Sequence, residues 1–134
     1  MAISIKGIIV GLLFGIVLMM VGGVVLGFVM ALMYGPDGAR ETMAASMSGT
    51  LTPANFMMDA IVSVAIGYVA AWVAGRGELV NAVLCNLVGA VIGLLIAMAM
   101  SEAAMVSAIV LLVTEPLFGL LGGYMRLRQT AEYA

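Results

Sequence analysis

The 134-residue chain has no histidine and a single cysteine, Cys85. A zinc or haem site built from Cys and His within one chain is therefore excluded, and so is an intrachain disulfide framework. Charge is almost as scarce. Five basic and seven acidic residues make up 9% of the chain, where a water-soluble domain needs roughly a quarter. The net charge of −2 leaves no basic footprint for nucleic acid. No nucleophile has a base beside it and no acids gather in pairs, so neither catalysis nor a cofactor is expected.

What the chain has instead is 65% hydrophobic residues and a mean hydropathy of +1.26, which makes lipid its solvent. The first apolar run, 7–34, carries no charge. At about 1.5 Å per residue it reaches roughly 40 Å, more than a ~30 Å hydrocarbon core needs, so it must tilt or project. It also exceeds the roughly 7–15 residues of a signal-peptide core. The second run opens on Thr52-Pro53-Ala54-Asn55, where Thr52 suits an N-cap and Pro53 the first helical position. Arg76-Gly77-Glu78 and Ser101-Glu102 supply the next two turns. The expected fold is all-α: a single transmembrane domain of four antiparallel helices over 6–34, 53–75, 79–100 and 103–126. A loop at 35–52 joins the first two, with a short interfacial helix over 39–47.

Orientation follows from the basic residues, which stay on the cytoplasmic side of short loops. Lys6, Arg76, Arg126 and Arg128 fall on one side of a four-span chain and only Arg40 on the other, so both termini are expected inside. Trp72, Tyr68 and Tyr124 then lie towards the inner interface and Tyr34 at the outer one, where aromatic rings prefer to sit. This describes a multi-pass protein of a cell membrane, of the bacterial or archaeal cytoplasmic type.

Small residues recur at helical spacing. Gly7, Gly11 and Gly15 form one row and Gly23 and Gly27 another. Asn81, Cys85, Gly89 and Gly93 share a stripe of the third helix, and Asp59, Ser63, Gly67 and Ala71 one of the second. Such rows let helix backbones approach closely, and in lipid packing must drive association. They serve either to pack one chain or to join it to further copies or to other membrane subunits.

The costliest residue is Glu115, between Thr114 and Pro116 in the fourth run. Counted from the cytoplasmic end it lies roughly 15 Å deep, where an acid costs about 2.5–3.5 kcal/mol on insertion scales. It shares a helix side with Ser107, Gly119 and Gly122 and is expected to face the bundle. Depth counting offers Tyr68, Ser63 and Asn86 as its partners, and Asp59 reads as an interfacial acid. Met43 and Met47 have the one-face spacing of a soft copper site. Without histidine or a second cysteine, the methionines are read as gap fillers and no metal is expected.

Gly77-Glu78-Leu79-Val80-Asn81, with Asn86-Leu87-Val88-Gly89 and Gly93, resembles the second helix of the small four-helix fluoride channels. The likeness spans seventeen residues. The Thr/Ser- and Phe-rich stretch that lines the fluoride path in that family has no counterpart in 103–125, so no membership follows. Two functional expectations remain: a non-enzymatic structural or accessory subunit joined through its glycine faces, and a small oligomeric channel or proton- or cation-coupled transporter centred on Glu115.

Overall fold

The computed structural model describes residues 2–132. They form four helices and no strand: α1 Ile5–Ser48, α2 Pro53–Ala74, α3 Glu78–Ala97 and α4 Glu102–Glu132. The caps follow local chemistry. Ser4 and Thr52 accept from the amides of Gly7 and Asn55, and Ser101 from that of Ala104, three residues on in each case. Gly49 and Gly75 close α1 and α2 in the left-handed conformation, at φ 72° and 62°.

Three bounds differ from the sequence expectation, the smallest being that α3 stops at Ala97 and 98–100 is turn rather than helix. Helix continues past Tyr34 to Ser48, interrupted only at Gly35, whose φ of 76° and ψ of −175° suit glycine alone. Pro36 then suits the start of a new helical segment, so most of the expected loop is helical and only 49–52 is free connection. Helix α4 runs through Pro116 and on to Glu132, about 46 Å in all. Its polar last turns, Arg126 to Glu132, stay helical although apolar patterning has stopped.

Helices α2, α3 and α4 pack closely on one another, and α1 lies outside them against α2 and α3. Both described ends of the chain meet at one end of the bundle. There the Ser4 amide donates to Asn81 Oδ1 at 2.7 Å, and Asn81 Nδ2 donates to the carbonyls of Ala2, Arg76 and Gly77 at 2.9–3.1 Å. The Tyr68 hydroxyl donates to Gln129 Oε1 at 2.6 Å. We call this the termini end; the opposite, capped end carries segment 36–52 and the α3–α4 turn.

The bundle is built inside out relative to a water-soluble one. Its largest fully buried side chains are Asn81, Asn86 and Cys85, and its apolar core is mostly alanine: Ala70, Ala71, Ala82, Ala90, Ala97 and Ala104. Large apolar side chains point away, among them Val24, Phe28 and Leu117. In water such a surface would aggregate; in lipid it is the expected exterior. All four helices are long and apolar enough to cross a membrane, which fits a multi-pass membrane protein.

Candidate functional site

The site is set by how closely the helices approach at the termini end. A Cβ on Gly67 would collide with the backbone of Gly119, and one on Gly122 with the carbonyl of Val64. A Cβ on Gly123 would lie 2.7 Å from that of Ala82, and one on Gly119 would strike the Asn86 side chain. Backbone therefore meets backbone along an α2–α4–α3 seam that only glycine permits. The seam also fixes register. Helices α2 and α4 run parallel, so one turn back from the Gly67–Gly119 crossing brings Ser63 level with Glu115, and Asp59 follows on the next turn of α2.

The same register puts Asp59 and Glu115 on facing sides of α2 and α4, about one helical turn apart. Both residues are half-buried, and neither carboxyl has a hydrogen-bond partner among the described residues. No cation relieves them. Lys6, Arg76, Arg126 and Arg128 belong to the termini end, and Arg40 lies 3.6 Å from Asp37 in segment 36–52.

The residues expected around Glu115 are divided by this register. Ser63 is buried and level with it. Asn86, 2% exposed, rests on Gly119 one turn nearer the termini end; its Nδ2 donates to the Ala82 carbonyl at 3.1 Å and its Oδ1 has no partner among the described residues. Thr114 turns back on its own helix, donating to the Val110 carbonyl at 3.0 Å. Tyr68 does not belong to the site. Its backbone lies beside Gly122, two turns from Glu115, and its hydroxyl reaches Gln129. Depth counting misplaced it by taking Gly75 and Met125 as level, whereas α4 continues seven residues beyond Met125. Asp59 sits deeper than an interfacial acid would, and the signal for it is its place on the stripe with Ser63 and Gly67, the face that α4 covers.

The glycine rows divide too. Gly7, Gly11 and Gly15 are buried within the chain against Ala70 and Ala74, Cys85, and Ile66 respectively. Gly22, rather than Gly23, continues the contact, on Met58. A Cβ on Gly89 would only touch Leu12, at 3.4 Å, and one on Gly23, Gly27 or Gly93 would meet nothing within 4 Å.

Where α1 leaves α2, a crevice of about 250 Å³ opens at the capped end between α1, α2 and α4. Met19 and Leu26 of α1, Met58 of α2 and Leu111 of α4 give it apolar walls, and Gly23 leaves it room. Asp59 lines it as the sole charged group. Its other polar side chains are engaged around the mouth: Ser46 donates to Asn55 Oδ1, Asn55 donates to the Thr50 carbonyl, and Ser107 Oγ accepts from the Leu51 amide. At roughly 30 Å³ per water the crevice has room for about eight, enough to bring solvent to Asp59. The geometry is that of an open crevice reaching one acid, with the second acid on the facing helix about one turn away.

No protein-family model, curated protein or solved structure matches this chain.

Proposed function

We propose that the protein is a small, non-enzymatic, proton-coupled membrane transporter in which Asp59 and Glu115 hold the coupling proton. One observation carries the proposal: the Gly67–Gly119 crossing puts two carboxyl groups, Asp59 and Glu115, on facing spans about one helical turn apart, and all five basic residues belong to the ends of the bundle. Two ionised carboxylates at such depth would add mutual repulsion to the cost of desolvation, whereas a proton held between them relieves both. A purely structural role needs neither acid, because alanine and glycine already close the helices elsewhere in the bundle. The crevice supplies the approach from one side, and the glycine seam with the Asn81 clamp closes the other. The basic residues at the termini end support a cytoplasmic placement of both termini, so the crevice faces outward across a cell membrane.

Flux in proteoliposomes tests this. Wild-type protein is expected to move protons under an imposed pH gradient or membrane potential, and Glu115→Gln to abolish that movement while leaving the fold intact. Flux equal in the two proteins would end the proposal.

A second reading, that the chain is an accessory subunit joined to further copies or to a larger membrane complex, is favoured by Gly27 and Gly93. Both are bare glycines on the outside of the bundle, on helices with large apolar neighbours such as Phe28 and Ile92. Under this reading Gly27→Leu or Gly93→Leu lowers the oligomeric mass in nanodiscs, and an unchanged mass removes it.

A further inference from the structure

The chemistry of the crevice selects its ligand by elimination. An anion is refused, because the one charged group lining it is Asp59 and no lysine or arginine does so. A hard metal ion is poorly served, since magnesium or calcium takes about six or more oxygen ligands. Here the Asn55 and Ser107 side chains are already hydrogen-bonded around the mouth, and no three His, Cys, Asp or Glu side chains among the described residues stand together for a metal. Water meets the polar part of the crevice at Asp59 but gains nothing from walls made of Met19, Leu26, Met58 and Leu111, which favour an apolar group beside the charge. What complements an unpaired carboxylate inside an apolar wall is a cation whose charge is attached to hydrocarbon. The thioethers of Met19 and Met58 add polarisable, adaptable contact without fixing one shape. A lateral way in is left open, because below its capped-end contact at Ser48 and Gly49 α1 packs on α2 and α3 and has little contact with α4.

We propose that this crevice binds a small organic ammonium ion, its alkyl part against Met19, Leu26, Met58 and Leu111 and its charged nitrogen on the Asp59 carboxylate. The proposal deepens the transport reading by naming a substrate class; binding itself stands without that reading, and only translocation of the bound ion depends on it. Occupation by a cation at Asp59 also opposes a proton there, so ligand and proton compete for one carboxyl group, the elementary requirement of exchange.

Hexyltrimethylammonium is the probe, with saturable binding measured by calorimetry on the full chain in zwitterionic nanodiscs and protein-free nanodiscs subtracting partition into lipid. The wild type is expected to bind saturably. Asp59→Asn, close to isosteric, is expected to weaken binding at least tenfold, and Gly23→Leu, which fills the crevice, to abolish it. Gly27→Leu makes the same change one turn on, outside the lining, and is expected to bind as the wild type does. No saturable binding by the wild type would overturn the proposal, as would unchanged affinity in both Asp59→Asn and Gly23→Leu. Glu115→Gln separates the two claims. Binding retained with flux lost upholds both; binding retained with flux unchanged upholds the crevice and ends the transport reading alone.

Discussion

The two ends of this bundle use the same residue in opposite ways. At the termini end, glycines face backbone: Gly67 meets Gly119, Gly122 meets Val64 and Tyr68, and Gly7 meets the Ala70 carbonyl at a would-be Cβ distance of 2.8 Å. At the capped end Gly23, Gly27 and Gly93 face nothing. Helices α3 and α4 stay together there through Ala97, Ala104 and Ala108, so the parting belongs to α1. A glycine row thus marks where helices can touch, and the partner surface decides whether they do. Close contact leaves no space for water or ligand, whereas the gap beyond it reaches an acid.

The seam is where a single added side chain has the largest effect. Gly122→Leu is expected to prevent assembly of α4 onto α2, at a cost above the roughly 1–3 kcal/mol of ordinary overpacking, because the obstacle is backbone on both sides. Unfolding in mixed micelles should show it. Gly27→Leu in the same assay is expected to leave the midpoint of monomer unfolding within about 0.5 kcal/mol of wild type. Equal losses in the two variants would erase the distinction between the ends.

Next in size is the clamp that joins the chain's start to the α2–α3 turn. Asn81→Ala removes a buried amide that engages Ser4, Ala2, Arg76 and Gly77. With membrane hydrogen bonds averaging about 0.6 kcal/mol, a loss of about 1–2 kcal/mol is expected. It should appear as faster hydrogen exchange at Ser4 and Gly7, with protection in 102–119 unchanged. Smaller again is Ser101→Ala, which deprives the Ala104 amide of its cap at the other end and is expected to cost about 0.5–1 kcal/mol and fray the first turn of α4. Exchange at Ala104 would measure it.

Much of this architecture is legible in the residues. Apolar runs locate the four helices, and Thr52-Pro53 and Gly75 end α2 where the structure does, because caps are local chemistry. Segment 36–48 is harder to read, since Gly-Pro-Asp-Gly signals a turn equally well and only its φ and ψ show that helix resumes after one residue. Depth is harder still. Helix ends give the level of a residue only if all spans stop at the same plane, and α4 overruns α2, so Tyr68 sits two turns from Glu115 and Asp59 about one. Periodicity alone does not separate Gly15 from Gly23, because the difference lies in the departure of α1 from its neighbour, a tertiary property.

On this reading solvent reaches Asp59 from the capped end while the seam beneath it is sealed. Thiol labelling in a Cys85→Ala background tests it, with Asp59→Cys and Ala71→Cys exposed in turn to a membrane-impermeant reagent from each side of oriented vesicles. Reaction at position 59 from one side only, with position 71 inert from both, is the predicted pattern. An inert position 59, or equal labelling at the two positions, would contradict it.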